Sequence, residues 1–272
     1  MIRKTIFSIS SLLALTIVSC KKDNSSSAQV IPPRDVTEVR DENDAAITAY
    51  LKTHFYKLEN NQVILDTIAK ENAQAEPLFN KVQTIELDVF DANNNKVRHK
   101  LYYLPAREGS GKQSSIADSV FVSYKGQLLN GKTFDQSVGH TLSNWTDLLG
   151  SRSQGNNGTI RGYREGIALL KDSQSPVTIN NDGTISVPED GGVGVFFIPS
   201  ALAYFNSAAG SIPAYSPLIF TVNLIKTKNA DHDHDGIPSI KEIKREDYGI
   251  VTYPDCDNDG FPDYLDADKC KE

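Results

Sequence analysis

The chain has 272 residues, a formal net charge of −7 and 39% hydrophobic residues. This length and apolar content predict one or two soluble domains with enough material for a core. Much of the negative charge belongs to the C-terminal tail, and a net negative charge argues against nucleic acid as a partner.

The N-terminal segment has the pattern of an export signal. Arg3 and Lys4 precede an apolar run over 6–18, which is too short to span a bilayer. The run ends with Thr-Ile-Val-Ser-Cys at 16–20, which resembles the lipobox of bacterial lipoproteins. That resemblance implies a signal peptide over 1–19 and an acylated, palmitate-bearing Cys20 at the mature N terminus. An ordinary signal peptide with an incidental cysteine is the alternative.

Residues 20–43 are predicted as the lipidated cysteine and a flexible tether, because 22–27 are polar and serine-rich. Two or three acyl chains would hold the protein on a membrane, whereas a single chain binds only marginally. Lys21 after the cysteine suggests sorting to the outer membrane, by analogy with better-known bacteria. The predicted location is therefore the bacterial cell envelope, facing either the periplasm or the cell surface.

Residues 44–97 are predicted as an N-terminal helical and extended segment. Over 44–58 apolar residues recur at helical spacing, and Asn43 or Asp44 is the expected cap. These apolar residues are Ile47, Tyr50, Leu51, Phe55 and Leu58. A second short helix is predicted over 63–71. The sequence leaves open whether these helices form a small unit of their own or pack onto the strands downstream.

From Thr84 onward the spacing indicates strands. Alternation and turn residues predict extended runs over 84–90, 97–104, 119–124, 177–179, 193–199 and 218–226. One short helix is predicted near Gly162, where Arg161 is expected to pair with Glu165 at i,i+4. Several antiparallel strands around one short helix predict an α+β fold.

Five segments of this region carry a pattern in a fixed order: 118–126, 129–137, 159–166, 198–204 and 212–224. Together they resemble the FKBP-type peptidyl-prolyl isomerases, with similarity from about residue 100 to 228. The first is similar to the strand that supplies a pocket tyrosine, and the second to a glycine turn before a Phe-Asp pair. The third is similar to the strand-to-helix entry under the pocket, and the last two to the flap and the closing strand.

The resemblance implies a domain over 98–228 in which a curved antiparallel sheet wraps around one short helix, with an apolar pocket between them. The implied pocket residues are Tyr124, Phe134, Asp135, Ile160, Tyr163, Tyr204, Ile212 and Phe220. Without the family pattern, several of these positions are explained equally well as ordinary core.

The chemistry implied by this resemblance needs no nucleophile, no proton donor and no cofactor. Rotation of an X–Pro amide faces a barrier of roughly 18–20 kcal/mol, since the C–N bond has partial double-bond character. A pocket lowers that barrier when it favours the twisted amide over the planar one. The implied partners are proline-containing exported polypeptides.

The resemblance also assigns roles within the pocket. Three rings would form the walls around the proline ring: Phe134, Tyr163 and Phe220. Tyr204 would donate a hydrogen bond to the substrate carbonyl, and the backbone N–H of Ile160 would be an additional donor. Asp135 would orient Tyr124 or interact with the polarised carbonyl carbon.

Two positions and one segment depart from the family pattern. Tyr163 stands where the family usually has tryptophan at the pocket floor, so its hydroxyl needs a partner. Phe205 stands where glycine usually follows the flap tyrosine. The segment over 139–158 is longer than usual and contains the only tryptophan, Trp145, as a candidate replacement for a pocket phenylalanine.

The tail over 229–272 contains two copies of one acidic spacing, with oxygen ligands at positions 1, 3, 5, 9 and 12, glycine at 6 and an apolar residue at 7. This is the ligand spacing of a calcium loop, in which position 7 supplies its backbone carbonyl. It resembles EF-hand-like and thrombospondin type 3-like repeats. The predicted ligands are Asp231, Asp233, Asp235, Ile237, Ser239 and Glu242, then Asp255, Asp257, Asp259, Phe261, Asp263 and Asp266.

Two alternatives remain for this tail. It could be a solvated acidic segment, although such a segment has no reason to repeat glycine and an apolar residue in register. His232 and His234 could instead bind zinc or nickel, but their even positions should point them away from a calcium ion. Calcium is the predicted structural metal.

Cys256 and Cys270 flank the second loop, and an exported protein permits their oxidation to a disulfide. Two free thiols are the alternative. The sequence has no Gly-x-Ser-x-Gly elbow and no phosphate loop, which argues against hydrolase and nucleotide chemistry. The leading hypothesis is an envelope-anchored prolyl isomerase. The alternatives are a non-catalytic FKBP-like binding module or chaperone, and a calcium-stabilised structural lipoprotein of the cell surface.

Overall fold

The computed structural model describes residues 32–137, 139–140, 145–151 and 156–268. Cys20, the signal peptide predicted over 1–19, residues 21–31 of the predicted tether and Cys270 lie outside these residues. The described residues from Arg34 onward belong to one unit. Within the described ranges no helix is long and apolar enough to cross a membrane.

The first helix, α1, runs over Val36–Thr53. It begins within the stretch predicted as a flexible tether over 20–43, so that prediction is wrong for residues 36–43. Its N-cap is Asp35, whose carboxylate accepts hydrogen bonds from the backbone N–H groups of Thr37 and Glu38. The expected cap at Asn43 or Asp44 is therefore wrong. The first two turns of α1 were not predicted, because the residues before position 44 are mostly polar. Only Val36 and Val39 on that stretch are buried apolar residues.

The segment after α1 is a β-hairpin, so the helix predicted over 63–71 is wrong. Strand β1, His54–Glu59, pairs with β2, Gln62–Thr67, across Asn60 and Asn61. Both asparagines have positive φ, 49° and 61°, as a tight two-residue hairpin turn requires. Apolar residues two positions apart on β2 face inward. An alternation this short does not distinguish a strand from a helix.

The remaining strands are β3 (Gln83–Phe90), β4 (Lys96–Arg107), β5 (Ser119–Leu128), β6 (Thr133–Gln136), β7 (Trp145–Asp147), β8 (Thr178–Ile179), β9 (Ile185–Ser186), β10 (Gly192–Ile198), β11 (Leu218–Lys228), β12 (Lys244–Arg245) and β13 (Val251–Thr252). Short 3-10 turns occupy Lys70–Asn72, Leu78–Asn80, Ser200–Leu202, Ser239–Lys241, Asp247–Gly249 and Asp263–Leu265. The main sheet has the order β3-β4-β10-β11-β5-β6, and β7 pairs with β5. All its pairings are antiparallel.

The second helix, α2, Arg161–Ile167, packs on one face of this sheet. A Cβ built on Gly166 would lie 2.6 Å from the ring of Phe196, so the glycine permits close approach of the helix to β10. The antiparallel sheet with a single short helix on this face confirms the predicted α+β class.

The opposite face of the sheet is covered by α1 and the β1–β2 hairpin. Ile47, Leu51 and Val63 pack there with Phe197 of β10. Every residue of β10 is buried, because the sheet is covered on both faces. The N-terminal elements therefore pack onto the sheet, which answers the question that the sequence left open.

The C-terminal tail packs against the edge of the same unit. Ile243 and Tyr264 of the tail form a small core with Ile116, Ala117 and Leu149. Strands β12 and β13 form a two-stranded hairpin within the tail. The tail is therefore fixed to the segment that follows β7.

Candidate functional site

A cavity of about 390 Å³ opens between the sheet and the start of α2. Its lining residues are Tyr124, Asp135, Thr146, Asn157, Gly158, Thr159, Ile160, Tyr163, Tyr204 and Phe220. Six of the eight residues indicated by the sequence thus share one cavity. The other two, Phe134 and Ile212, lie behind this lining, within or against the hydrophobic core that supports it.

The aromatic wall is set by the register of three strands. Phe220 on β11 lies opposite Gly126 on β5, and Asp135 on β6 is also opposite Gly126. The missing side chain at Gly126 leaves room for two rings: an added Cβ would lie 2.5 Å from Phe134 and 3.1 Å from Phe220.

These rings contact each other edge to face. The ring centroids of Phe134 and Phe220 are 5.5 Å apart, and those of Tyr163 and Phe220 are 5.0 Å apart. Tyr124 lies 6.1 Å from Tyr163 in the same type of contact. Each such pair contributes about 0.5–1.5 kcal/mol beyond the burial of apolar area. The wall is therefore a connected set of rings that resists displacement of any one of them.

Tyr124 and Asp135 form the polar part of the rim. The Tyr124 hydroxyl donates a hydrogen bond to the Asp135 carboxylate at 2.8 Å. Burial raises the pKa of Tyr124 well above its usual value, and the hydrogen bond to Asp135 raises it further. The phenol therefore keeps its proton, and Asp135 fixes the direction in which the Tyr124 ring points.

Tyr163 forms the floor and brings a hydroxyl into an apolar environment. Its side chain is 5% exposed, and its hydroxyl has no hydrogen-bond partner among the described residues. Burial raises the pKa of Tyr163 far above its usual value, so the hydroxyl is un-ionised. This is the departure from tryptophan that the sequence indicated.

The flap holds Tyr204 at the mouth, 39% exposed. The next residue, Phe205, has φ 47°, a left-handed conformation that glycine adopts without cost. The Phe205 ring packs perpendicular to Tyr215 at 5.2 Å. The backbone N–H of Tyr215 also donates to the Phe205 carbonyl at 2.6 Å. The flap thus keeps the glycine-like turn despite the phenylalanine, and Phe205 is held there by its contacts with Tyr215.

The sequence did not predict one wall of the cavity, which is formed by Thr146 and 157–159. No side chain there has an obvious chemical role, and the wall is built by backbone turns. Gly158 has φ 64°, and an added Cβ would lie 2.3 Å from the Leu149 carbonyl. Trp145 is not part of the lining: it stacks on Phe121 at 5.8 Å, with the Lys228 ammonium 5.0 Å from its ring.

The acidic loops of the tail bring their predicted ligands together in two groups. Ligand oxygens of Asp231, Asp233 and Asp235 lie within 4.8 Å of one another, as do those of Asp255, Asp257 and Asp259. The glycines that follow, Gly236 and Gly260, have φ 94° and 101°, as the sharp turn requires.

Glu242 is not one of the three residues whose ligand oxygens lie within 4.8 Å of one another, but it interacts electrostatically with them. Burial raises its pKa to about 7, with further contributions from the carboxylates of Asp233, Asp235 and Asp231. Asp233 Oδ2 and Glu242 Oε2 are buried oxygens without a hydrogen-bond partner in the part of the chain that the structure describes. Orphaned carboxylate oxygens that repel one another fit a hard divalent cation.

The other predicted ligands are placed differently. The Ser239 hydroxyl is 2.8 Å from His232 Nδ1, so it faces the histidine. Asp263 accepts a hydrogen bond from the Cys256 N–H at 2.8 Å. In each loop the residue after the glycine, Ile237 or Phe261, donates its N–H to an aspartate of the loop.

Asp266, the last ligand predicted for the second loop, acts electrostatically on Asp257. Cys256 is disulfide-bonded, but its predicted partner Cys270 lies outside the described residues, so their pairing stays a prediction.

Residues 111–225 match the family model described as FKBP-type peptidyl-prolyl cis-trans isomerase. The probable isomerase FkpA of Neisseria meningitidis serogroup B is 32% identical over 146 residues, covering 53% of this chain and 44% of that protein. FkpA of Aeromonas hydrophila is 28% identical over 181 residues, covering 65% of this chain and 58% of that protein. The chain thus spans about half the length of these relatives. Among solved structures, FkpA from Escherichia coli is 26% identical with a TM-score of 0.32, covering 52% of this chain and 51% of that one.

Proposed function

Because residues 111–225 match the family model of FKBP-type peptidyl-prolyl cis-trans isomerases, we propose that this protein accelerates the rotation of X–Pro bonds in polypeptides. The observation that carries the proposal is the convergence of Tyr124, Asp135, Ile160, Tyr163, Tyr204 and Phe220 on one cavity. None of these residues has the arrangement of an activated nucleophile. All of them serve to bind and orient.

The aromatic wall acts on the proline ring and on the amide. Tyr163 and Phe220 provide an apolar surface, from which water is excluded when the ring enters. A planar amide carries more charge separation than a twisted one, so leaving water disfavours the planar form relative to the twisted form. This differential effect lowers the rotational barrier.

Two donors at the mouth can bind and orient the peptide. The Tyr204 hydroxyl can reach a substrate carbonyl, because the ring lies at the exposed rim. The N–H of Ile160, the residue that caps α2, is among the groups that a helix leaves without an intrahelical partner. Their role is to hold the peptide so that the X–Pro bond lies against the aromatic wall.

The test is an isomerisation assay on a proline peptide with paired phenylalanine variants. Phe220→Ala should lower kcat/KM by about tenfold or more, since one wall of the cavity is lost. Phe90→Ala is the matched control, because Phe90 is exposed on the far edge strand β3. A wild-type protein that binds proline peptides without accelerating their isomerisation would instead support the non-catalytic binding module.

We further propose that lipid on Cys20 anchors the protein to the bacterial envelope, where its clients are exported polypeptides. The support is the lipobox-like run before Cys20, together with the polar segment after it. Mass spectrometry of the mature protein should find an acylated N-terminal cysteine. Cys20→Ser should release the protein from the membrane fraction, and retention of that variant on membranes would contradict the proposal.

The tail is proposed to bind calcium as a structural ion. Asp231, Asp233, Asp235 and Glu242 would hold one ion, and Asp255, Asp257 and Asp259 would form the core of a second site. The cation would neutralise carboxylates that otherwise repel one another. At about a hundred times the Kd, a ligand that binds only the folded state stabilises it by about 2.7 kcal/mol.

Calorimetry and thermal unfolding test this assignment. Calcium should release or absorb heat with the wild type and raise its melting temperature, and Asp233→Asn combined with Asp257→Asn should abolish both effects. Asp182→Asn is the control, because this exposed aspartate lies in the β8–β9 turn. An unchanged calcium response in the double variant would refute the assignment.

A further inference from the structure

Asp147, at the end of β7, accepts hydrogen bonds from the segment that forms the cavity wall not predicted from the sequence. Asp147 Oδ1 accepts a hydrogen bond from the Gly150 N–H at 2.9 Å. Asp147 Oδ2 accepts one from the Asn156 side-chain amide at 2.8 Å. The Thr159 N–H then donates to the Leu148 carbonyl at 3.1 Å, which closes the wall against the strand end.

The tail reaches this carboxylate through His232, the second residue of the first acidic loop. His232 Nε2 lies 3.2 Å from both oxygens of Asp147, and its side chain is 8% exposed. The other ring nitrogen, Nδ1, is 2.8 Å from the Ser239 hydroxyl. The His232 backbone N–H also donates to that hydroxyl, at 3.1 Å. The imidazole therefore bridges the acidic loop and the cavity wall with both nitrogens.

The position of this imidazole depends on the conformation of the loop. Ser239 is fully buried, and its N–H donates to the Ala230 carbonyl at 2.9 Å. The Glu242 N–H donates to the Ser239 carbonyl at 3.2 Å. Glu242, which is proposed to bind the cation, is therefore one turn away from Ser239, whose hydroxyl contacts His232. A change in the spacing of the loop carboxylates therefore moves the partner of His232.

The second loop contacts the same part of the wall. Tyr264 is 6% exposed and packs with Leu149, and its hydroxyl lies 3.5 Å from the Gly150 carbonyl. Its ring meets the His232 ring edge to face, with centroids 5.6 Å apart. The first loop thus contacts Asp147 through His232, and the second contacts residues 149–150 through Tyr264.

We propose that Asp147 and His232 are positioning residues that couple the acidic loops to the isomerase cavity, so that calcium in the tail raises the isomerase activity. This inference rests on the function proposed above. Calcium fixes the loop, the loop fixes His232, and His232 holds Asp147 in the orientation that keeps 156–160 against the substrate. Without the cation, repulsion among the carboxylates loosens this chain of contacts and the wall moves away from the twisted amide.

Two histidine variants of the full chain isolate the contact. Asparagine at position 232 can still reach Ser239 but is too short to reach Asp147, so His232→Asn breaks the link to the wall. It also removes the ring contact with Tyr264, which His232→Gln removes too, so a comparison of the two variants isolates the link to Asp147. His232→Gln has the length to donate to Asp147 and serves as the conservative rescue. His234→Asn is the matched control, because His234 is an exposed histidine of the same loop.

The assay is kcat/KM on a proline peptide, with calcium and with a chelator. Calcium should raise the wild-type value by about fivefold or more, the low end of typical couplings between sites. His232→Asn should lose this calcium dependence while its calcium affinity, measured by calorimetry, stays within about threefold. His232→Gln should restore most of the dependence, and His234→Asn should behave as the wild type.

A second readout does not depend on turnover. Because coupling between two binding sites is reciprocal, a saturating proline peptide should tighten calcium binding by the same factor by which calcium tightens peptide binding. Calcium binding without any change in kcat/KM or in peptide affinity would overturn this inference alone. A wild type that shows no calcium binding would overturn the metal assignment and this inference together. The same calcium response in His232→Asn as in the wild type would show that the contact carries no coupling.

Discussion

Gly126 is the position at which one added methyl group should disable the cavity without removing any of its residues. In the structure a Cβ at this position would lie 2.5 and 2.6 Å from two carbons of the Phe134 ring and 3.1 Å from Phe220. Ordinary contact begins at 3.4 Å, so the Phe134 ring must retreat by about 0.9 Å. Because Phe134 contacts Phe220, and Phe220 contacts Tyr163, the displacement spreads through the aromatic wall.

Gly126→Ala should therefore lower the unfolding free energy by about 1–3 kcal/mol, the usual cost of overpacking a core. It should also lower kcat/KM on a proline peptide by about tenfold to a hundredfold, because a 1 Å misplacement of binding groups can cost about a hundredfold. The measurements are urea unfolding and a peptide isomerisation assay on the same preparation.

Two further variants separate the cavity from general stability. Gly194→Ala is the control, because its Cβ would meet Leu104 and Leu170 at 3.3 Å, away from the aromatic wall. It should cost stability and leave kcat/KM unchanged. Gly126→Ala combined with Phe134→Leu should recover stability without recovering full activity. A folded Gly126→Ala protein with wild-type kcat/KM would refute the reasoning, since it would mean that the rings do not shape the reaction.

Three other variants test the packing and charge of the structure. Tyr163→Phe removes a buried hydroxyl without a partner among the described residues. The unfolding free energy measured in urea should therefore rise by about 1 kcal/mol. A loss of stability would show that the hydroxyl has a hydrogen-bond partner. Ile47→Ala should cost about 2–5 kcal/mol in one cooperative transition, whereas a separate early transition would show that α1 unfolds independently. Hydrogen bonding from Arg98 holds the pKa of the buried Asp88 below its usual 3.8. The ionised carboxylate therefore stabilises the folded protein above pH 3.8, and this contribution is lost as the pH falls through the lowered pKa of Asp88 in the folded state. Asp88→Asn should flatten that part of the stability curve measured from about pH 5 to about pH 2, and an unchanged acid slope would show that another carboxylate is responsible.

The cavity was predictable from the sequence because its residues lie in segments whose order and spacing are distinctive. Tyr124, Asp135 and Phe220 are far apart along the chain, but each sits beside a recognisable turn or strand signal. The elements before residue 80 were less predictable, since a short apolar alternation fits a helix and a strand equally well. The asparagine pair at 60–61 was the available signal, because two such residues with positive φ favour a hairpin turn.

The linear pattern alone was enough to indicate the α+β class and the two acidic loops, since these depend on strand and helix periods or on residues close in sequence. The aromatic cavity was indicated by the resemblance of five ordered segments to a known family. The contact between His232 and Asp147 joins residues 85 positions apart, and no local spacing encodes it. Only the folded chain shows that the acidic tail lies against the cavity wall. That contact arises from packing between two elements that are distant in the sequence, and neither element has a motif that identifies the other as its partner.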